Sequence, residues 1–142
     1  MRYCVLLLLL IFSVNTQAQV DIKKFGDVVA DEEYENVKVM PIHSDRNTSV
    51  FVIFVKKEVK KHFHQYHTEV VTVLEGKGEM FMNGKVFDVK VGDCIVIPPG
   101  TEHAVITRSG KPLKVLSVQS PEFEGEDRIY TEDEDEEEED ED

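Results

Sequence analysis

Short apolar runs separated by turn residues are the feature that most constrains the fold of this chain. Between residues 37 and 120 these runs are rich in Val, Ile and Phe, and turn residues interrupt them every eight to twelve positions. This rhythm is typical of an all-β sandwich or barrel. It predicts eight strands, at residues 37–42, 49–55, 69–74, 78–82, 86–89, 94–97, 103–107 and 113–119. Eight strands suit a jelly roll.

The turns between the predicted strands can also be recognised from their residues. Asn83-Gly84 is a strong hairpin signal, because both central residues of such a turn take positive φ. Pro98-Pro99-Gly100 ends a strand, since proline donates no ladder hydrogen bond and glycine permits the reversal. Only residues 21–35 have a pattern compatible with a helix.

The start of the chain resembles an export signal. Arg2 precedes an unbroken apolar run over residues 5–12, and small and polar residues follow up to Ala18. Residues 1–18 are therefore predicted to be a cleaved signal peptide, and the protein to be secreted or periplasmic. An uncleaved anchor is the alternative, but the run is far shorter than the roughly 20 residues that cross a bilayer, so no membrane span is expected.

Three further segments follow the leader: an N-terminal extension at 19–36, the barrel domain at 37–130 and an acidic tail at 131–142. The net charge of -13 is concentrated in the tail, where residues 132–142 are all Asp or Glu. Like charges repel, so we expect the tail to be disordered and to aid solubility; weak calcium capture or docking to a basic partner are the alternatives. Nucleic acid is excluded as a partner, because phosphate binding needs a basic surface.

Cys94 is the only thiol after the leader, so no internal disulfide can form. Within its predicted strand it alternates with Ile95, and we expect it to be buried as a small hydrophobe rather than to act as a nucleophile. His43 follows a strand-ending segment and is expected at the surface.

A cluster of histidines between residues 61 and 69 carries most of the chemical information. Side chains two apart on an extended strand share a face, so His62 and His64 point the same way. A polar loop then returns the chain so that Glu69 can converge on them, which gives a plausible donor set for a divalent transition metal. The alternative to a metal site is a polar strand end in which the histidines are satisfied by hydrogen bonds. His67, in the loop, is expected to be exposed rather than a fifth ligand.

A second segment, from Gly92 to His103, adds another imidazole. It is a strand that ends in Pro98-Pro99-Gly100, with His103 just beyond the turn. An antiparallel return would bring His103 into the mouth of a barrel, beside the first cluster.

These two segments resemble the two motifs of the cupin family. The first motif is matched by His62, His64, Glu69 and Gly76, and the second by Gly92, Pro98, Gly100 and His103. Lys57 and Thr107 depart from residues often found in the motifs, but neither position is a ligand in the family. The resemblance implies a double-stranded β-helix barrel that binds one metal through His62, His64, Glu69 and His103. Such a donor set leaves two positions open and favours Mn, Fe, Ni, Co or Zn over Ca or Mg.

The C-terminal stretch, residues 112–120 and 124–129, carries a second and looser resemblance. It is similar to the end of the cupin domain in bifunctional mannose-6-phosphate isomerases. The first motif of those enzymes has a shorter histidine loop, so isomerase activity is not implied for this chain.

Barrel-wall residues should line a small-molecule pocket beside the metal, among them Phe51 or Ile53, Val71 or Val73, Phe81, and Val105. Glu75, Tyr66 and His67 are candidates for a general base near the mouth. Three functions stay open, because one fold hosts many chemistries. The first is a metal-dependent enzyme of dioxygenase, decarboxylase or isomerase type. The others are a non-catalytic binder of a sugar or organic acid and a metal-sequestering protein; a homodimer is left open.

Overall fold

The computed structural model of the chain describes residues 22–30 and 33–131, and the predicted leader and the acidic run at 132–142 lie outside them. The described residues form ten β-strands and one 3₁₀ turn at Phe25–Asp27. The strands are β1 (Val37–Asp45), β2 (Thr48–Val55), β3 (Glu58–Phe63), β4 (Thr68–Glu75), β5 (Lys77–Met82), β6 (Lys85–Lys90), β7 (Cys94–Ile97), β8 (His103–Thr107), β9 (Leu113–Ser120) and β10 (Ile129–Tyr130). The all-β prediction is confirmed.

The strands form two five-stranded sheets, in the orders β1-β2-β9-β4-β7 and β10-β3-β8-β5-β6. Every pairing is antiparallel. From β2 onward the chain passes back and forth between the two sheets, except at the β5–β6 hairpin, and this is the winding of a jelly roll. The predicted barrel architecture is therefore confirmed. Within the described residues, no helix is long and apolar enough to cross a membrane.

The core lies between the inner faces of the two sheets. Alternation along the strands directs one apolar side chain in two toward it. Its buried members are Ile53, Val55, Val73, Met80, Val89, Ile97, Leu113 and Val115. Full burial of such a side chain stabilises the fold by about 1.5–3 kcal/mol.

Two turns show why glycine is needed where the sequence has it. Asn83 and Gly84 have φ of 45° and 79°, so the predicted hairpin between β5 and β6 is confirmed. Gly76 has φ of 80°, and a Cβ placed there would lie 2.8 Å from Ser109 Oγ. A side chain at Gly76 would therefore be strained by its backbone and crowded by its neighbour.

Two strands are absent from the sequence prediction, and one predicted element does not form. β3 has a lysine-rich polar character and β10 has only two residues, so neither has the apolar signature of a strand. The helical pattern at 21–35 is wrong for the described residues 22–30, which contain only the 3₁₀ turn. Gly26 and the β-branched pair Val28-Val29 disfavour a longer helix there.

Two side-chain predictions are corrected by the register of the strands. Cys94 is exposed, because it begins the edge strand β7 and Ile95 and Ile97 take the inward positions. Met80 lies opposite Val105 and faces the interior, so Phe81 faces away from it. His43 is exposed, as predicted.

Candidate metal centre

Strands from both sheets bring the four predicted ligands to one end of the barrel. His62 on β3 is the direct cross-strand partner of His103, the first residue of β8. His64 lies just after β3 ends, and Glu69 is the second residue of β4 in the opposite sheet. All four side chains are buried, with exposed fractions of 2–5%.

The three imidazoles surround a common point. The ring centroids of His62 and His103 are 4.2 Å apart, and that of His64 lies 5.2 and 5.4 Å from them. One ring nitrogen from each histidine lies within 4.8 Å of the other two, so the three could hold a metal ion. The predicted assignment of all four residues as ligands stays a prediction.

Hydrogen bonds on the outer side of each ring fix its protonation. Nδ1 of His62 donates to the Lys60 carbonyl at 2.8 Å and Nδ1 of His103 donates to the Thr101 carbonyl at 2.9 Å. Nδ1 of His64 donates to the Asp127 carbonyl. A carbonyl only accepts, so the proton of each neutral ring sits on Nδ1 and the lone pair on Nε2 faces the centre.

Two of the inward-facing ring nitrogens have unsatisfied hydrogen-bonding capacity. Nε2 of His64 and Nε2 of His103 are buried without a hydrogen-bond partner among the described residues. Glu69 Oε2 lies 3.5 and 3.4 Å from them, which is long for a hydrogen bond but close to the separation of about 3 Å between adjacent ligands with bonds near 2.1 Å. A buried unsatisfied group costs about 1–3 kcal/mol, so a shared cation fits this donor set.

The electrostatics of the centre favour positive charge beside Glu69. Burial, and then the nearness of His103, lowers the pKa of His62 to about 4. Burial also opposes charge on His64, but the Glu69 carboxylate and the Asp127 carbonyl outweigh it and raise the pKa of His64. Burial likewise acts to raise the pKa of Glu69, yet the nearness of His103 and His64 and the hydrogen bond from Ser117 hold it well below its usual range. The negative carboxylate can be balanced by a proton or by a metal cation.

A cavity of about 330 Å³ opens beside the centre, with His62, Glu69 and His103 in its wall. This volume is at the lower end of the range for small-molecule sites. Its apolar wall contains Val37, Val39, Ile53, Val55, Val59, Val71, Val73, Met80, Val89, Ile95, Val105, Leu113 and Val115. Of the predicted wall residues, Ile53, Val71, Val73 and Val105 line the cavity, whereas Phe51 packs edge-on against Phe123.

Comparison with known proteins identifies the family. Residues 49–119, half of the chain, match the Cupin domain family. The chain is a cupin. An uncharacterized protein of Aquifex aeolicus is 33% identical over 115 residues, covering 79% of this cupin and 93% of that protein. A structure from Klebsiella pneumoniae, described as an uncharacterized conserved protein with a double-stranded β-helix domain, superposes with a TM-score of 0.68 at 22% identity, over 81% of this cupin and 100% of that chain.

Several relatives are named as enzymes, and of two of these this cupin spans only a small part. Mannose-1-phosphate guanylyltransferase of Klebsiella pneumoniae is 36% identical over 66 residues, which are 46% of this cupin and 14% of that enzyme. This match agrees with the looser resemblance noted from the sequence. Quercetin 2,3-dioxygenase of Bacillus subtilis is 32% identical over 69 residues, or 44% of this cupin and 20% of that enzyme.

The stretch that follows β9, residues 121–130, supports the centre of this cupin from outside; we call it the C-terminal segment. The Asp127 carboxylate accepts hydrogen bonds from the backbone N–H groups of Gln65, Tyr66 and His67, at 2.8, 2.9 and 3.1 Å. The carbonyl of the same residue accepts from His64. Asp127 therefore holds both the histidine loop and one imidazole, a role that no spacing in the sequence signals.

The prediction that His67 is exposed is wrong. It is buried, with 6% of its surface accessible, because Nδ1 bonds the Asp127 carboxylate and Nε2 bonds the Glu122 carbonyl at 2.8 Å. Both ring nitrogens are thereby occupied away from the centre. Of the other candidate bases, Tyr66 is 68% exposed and Glu75 pairs with Lys111 and Lys114, and neither lines the cavity.

Proposed function

We propose that this cupin is a metal-dependent enzyme that acts on a small organic molecule, with one divalent transition metal held by His62, His64, Glu69 and His103. The observation that carries the proposal is the set of Nε2 lone pairs directed at one point by Nδ1 bonds to backbone carbonyls. Imidazole with carboxylate suits Mn, Fe, Co, Ni or Zn better than Ca or Mg.

The protein supplies orientation and a dry cavity. Glu69 Oε1 accepts hydrogen bonds from Ser117 and Gln119, which leaves Oε2 directed at the histidines. The apolar wall beside it can seat the hydrocarbon part of a substrate. A metal bound there supplies Lewis acidity or redox chemistry at its open positions.

An enzymatic role is favoured over simple binding by the relatives that are named as enzymes. The dioxygenase relative supports an oxygen-dependent reaction in particular, although this cupin spans only a fifth of its length. Oxygen uptake by the metal-loaded protein with small organic acids or sugars would indicate a dioxygenase. Carbon dioxide release without oxygen uptake would indicate a decarboxylase, and binding without turnover would identify a binding protein instead.

The first prediction is that protein purified without chelator contains about one transition-metal ion per chain, and that His62→Ala combined with His64→Ala abolishes metal retention. Removing two of the four donors leaves too few to hold the ion. Elemental analysis of folded wild type and variant is the measurement. His43→Ala is the matched control, because this histidine is exposed, lies outside the centre and pairs with Asp45 at 3.3 Å. Stoichiometric metal in the double variant would refute the assignment.

We also propose that the protein acts after export, as the leader at residues 1–18 predicts. Export would place the centre among extracellular or periplasmic small molecules rather than phosphorylated metabolites of the cytoplasm.

A further inference from the structure

Arg128 is a cation in the cavity wall that has no anionic partner among residues 22–30 and 33–131. Among the described residues it makes no ion pair or hydrogen bond, and its Nε is a buried atom without an acceptor. Its one close contact of note is with the Phe123 ring, whose centroid lies 5.9 Å from Cζ. Partial burial of a guanidinium without a hydrogen-bond acceptor costs free energy of folding unless a bound ligand accepts its hydrogen bonds.

The register of β10 places Arg128 on the side of the metal centre. Tyr130 is the direct cross-strand partner of His62, and its ring centroid lies 5.9 Å from that of His62. Arg128 is two residues earlier, and residues two apart on extended chain share a face. Both side chains accordingly line the same cavity as His62 and His103. Asp127, bonded to the histidine loop, fixes the backbone directly beside Arg128.

The other charged groups of the cavity do not neutralise this guanidinium. Glu69 is already bonded by Ser117 and Gln119 and faces His64 and His103. Glu58 and Lys60 are exposed at the rim.

We propose that Arg128 binds the carboxylate of a small organic acid, and that substrates of this cupin belong to that class. The inference deepens the proposed function and rests on it. The planar fork of a guanidinium matches a carboxylate in bidentate geometry. A guanidinium also pairs with phosphate, so inorganic phosphate is the competing anion in the test. The apolar wall accommodates the remainder of the acid.

The test compares acids with their neutral amides on metal-loaded protein. Pyruvate, benzoate and phenylacetate, each beside its primary amide, and inorganic phosphate are titrated by calorimetry into wild type, Arg128→Gln and Arg108→Gln. Arg108 is the matched control, because it is exposed and paired with Glu79 at 2.7 Å, and its substitution removes the same charge. Metal content and thermal unfolding are measured on the same samples.

We expect at least one carboxylate to bind the wild type and its affinity to fall about tenfold or more in Arg128→Gln, with the metal content unchanged. Arg108→Gln should bind as the wild type does, and the amides should not distinguish the variants. If Arg128→Gln does not fold, Arg128→Lys should bind the acid with reduced affinity, because the charge remains and the fork is lost.

Three results would overturn the inference: no carboxylate binds the metal-loaded wild type, phosphate alone binds, or Arg128→Gln binds acids as tightly as the wild type does. In each case the metal content of the wild type shows which proposal fails, the metal-dependent function or the role of Arg128. Wild-type protein that holds no metal contradicts the proposed function, whereas metal retained with unaltered carboxylate affinity contradicts only the role of Arg128.

Discussion

At the level of single residues, the sequence predicts which candidate ligands come together but not the groups that support them. His62, His64, Glu69 and His103 fall at fixed separations around two turns, so their spacing alone brings them to one end of a barrel. Asp127 and Arg128 lie about 60 residues beyond the histidine loop, and only the pairing of β10 with β3 places them beside it. Such long-range register leaves no local pattern.

His62 and His64, two residues apart at the end of β3, should respond to pH with opposite sign. The pKa of His62 is lowered from 6.5 to about 4, so the unfolded chain takes up a proton that the fold resists, and His62 costs stability as the pH falls from 6.5 toward 4. The pKa of His64 is raised above 6.5, so its contribution is fully present below pH 6.5 and is lost as the pH rises through its folded pKa.

For metal-free protein we therefore expect His62→Gln to flatten the loss of stability between pH 6.5 and 4, by at most about 1.4 kcal/mol per pH unit. His64→Gln should leave that part of the profile nearly unchanged and should instead flatten the loss of stability above pH 6.5. Denaturant unfolding from about pH 4 to about pH 9, with chelator present, is the measurement. The same slope in both variants would contradict the electrostatic description. With metal bound, the wild type should lose stability more steeply, because protons compete with the ion for the imidazoles.

At the level of elements, alternating apolar residues suffice to predict eight strands. They do not predict β3, β10 or the C-terminal segment. β3 carries lysines among its six residues, and its inward position at His62 is polar because of the centre. β10 is too short to show alternation. The C-terminal segment is held by hydrogen bonds to Asp127 and by Phe123, whose ring packs edge-on against His64 and His67. Its order thus depends on tertiary contacts that composition does not encode.

The role of the C-terminal segment is tested by Asp127→Asn, which keeps the size of the side chain but removes the charge and one acceptor. We expect a loss of about 1–3 kcal/mol in the free energy of unfolding and a fall of about 10–100-fold in metal affinity, because the backbone N–H groups of the histidine loop lose one charged oxygen as their acceptor. Asp88→Asn, on the exposed face of β6, is the control. If Asp127→Asn bound metal as tightly as the wild type does, the histidine loop would not depend on Asp127 for its conformation.

At the level of the whole molecule, the jelly roll is predictable from two local patterns. Apolar and polar residues alternate along its strands, and glycine, proline and asparagine mark its turns.

Export of the protein is not tested by the structure and stays a prediction. Expressed with its leader in a secreting host, the protein should be recovered outside the cytoplasm with Gln19 at its N-terminus, as N-terminal sequencing would show. Ala18→Arg should block cleavage, since the site needs a small residue. Recovery of wild type in the cytoplasm with Met1 retained would contradict export.

The carbonyl bonds of the histidines also bear on how this centre can change over evolutionary time. His62 and His103 are each oriented by the main chain two residues earlier, at Lys60 and Thr101. Since the Lys60 side chain takes no part in its bond and is exposed at the cavity rim, substitutions there can alter charge and shape at the rim while the His62 imidazole keeps its orientation. Substrate preference can thus diverge between descendants of one ancestral barrel without any loss of the donor set.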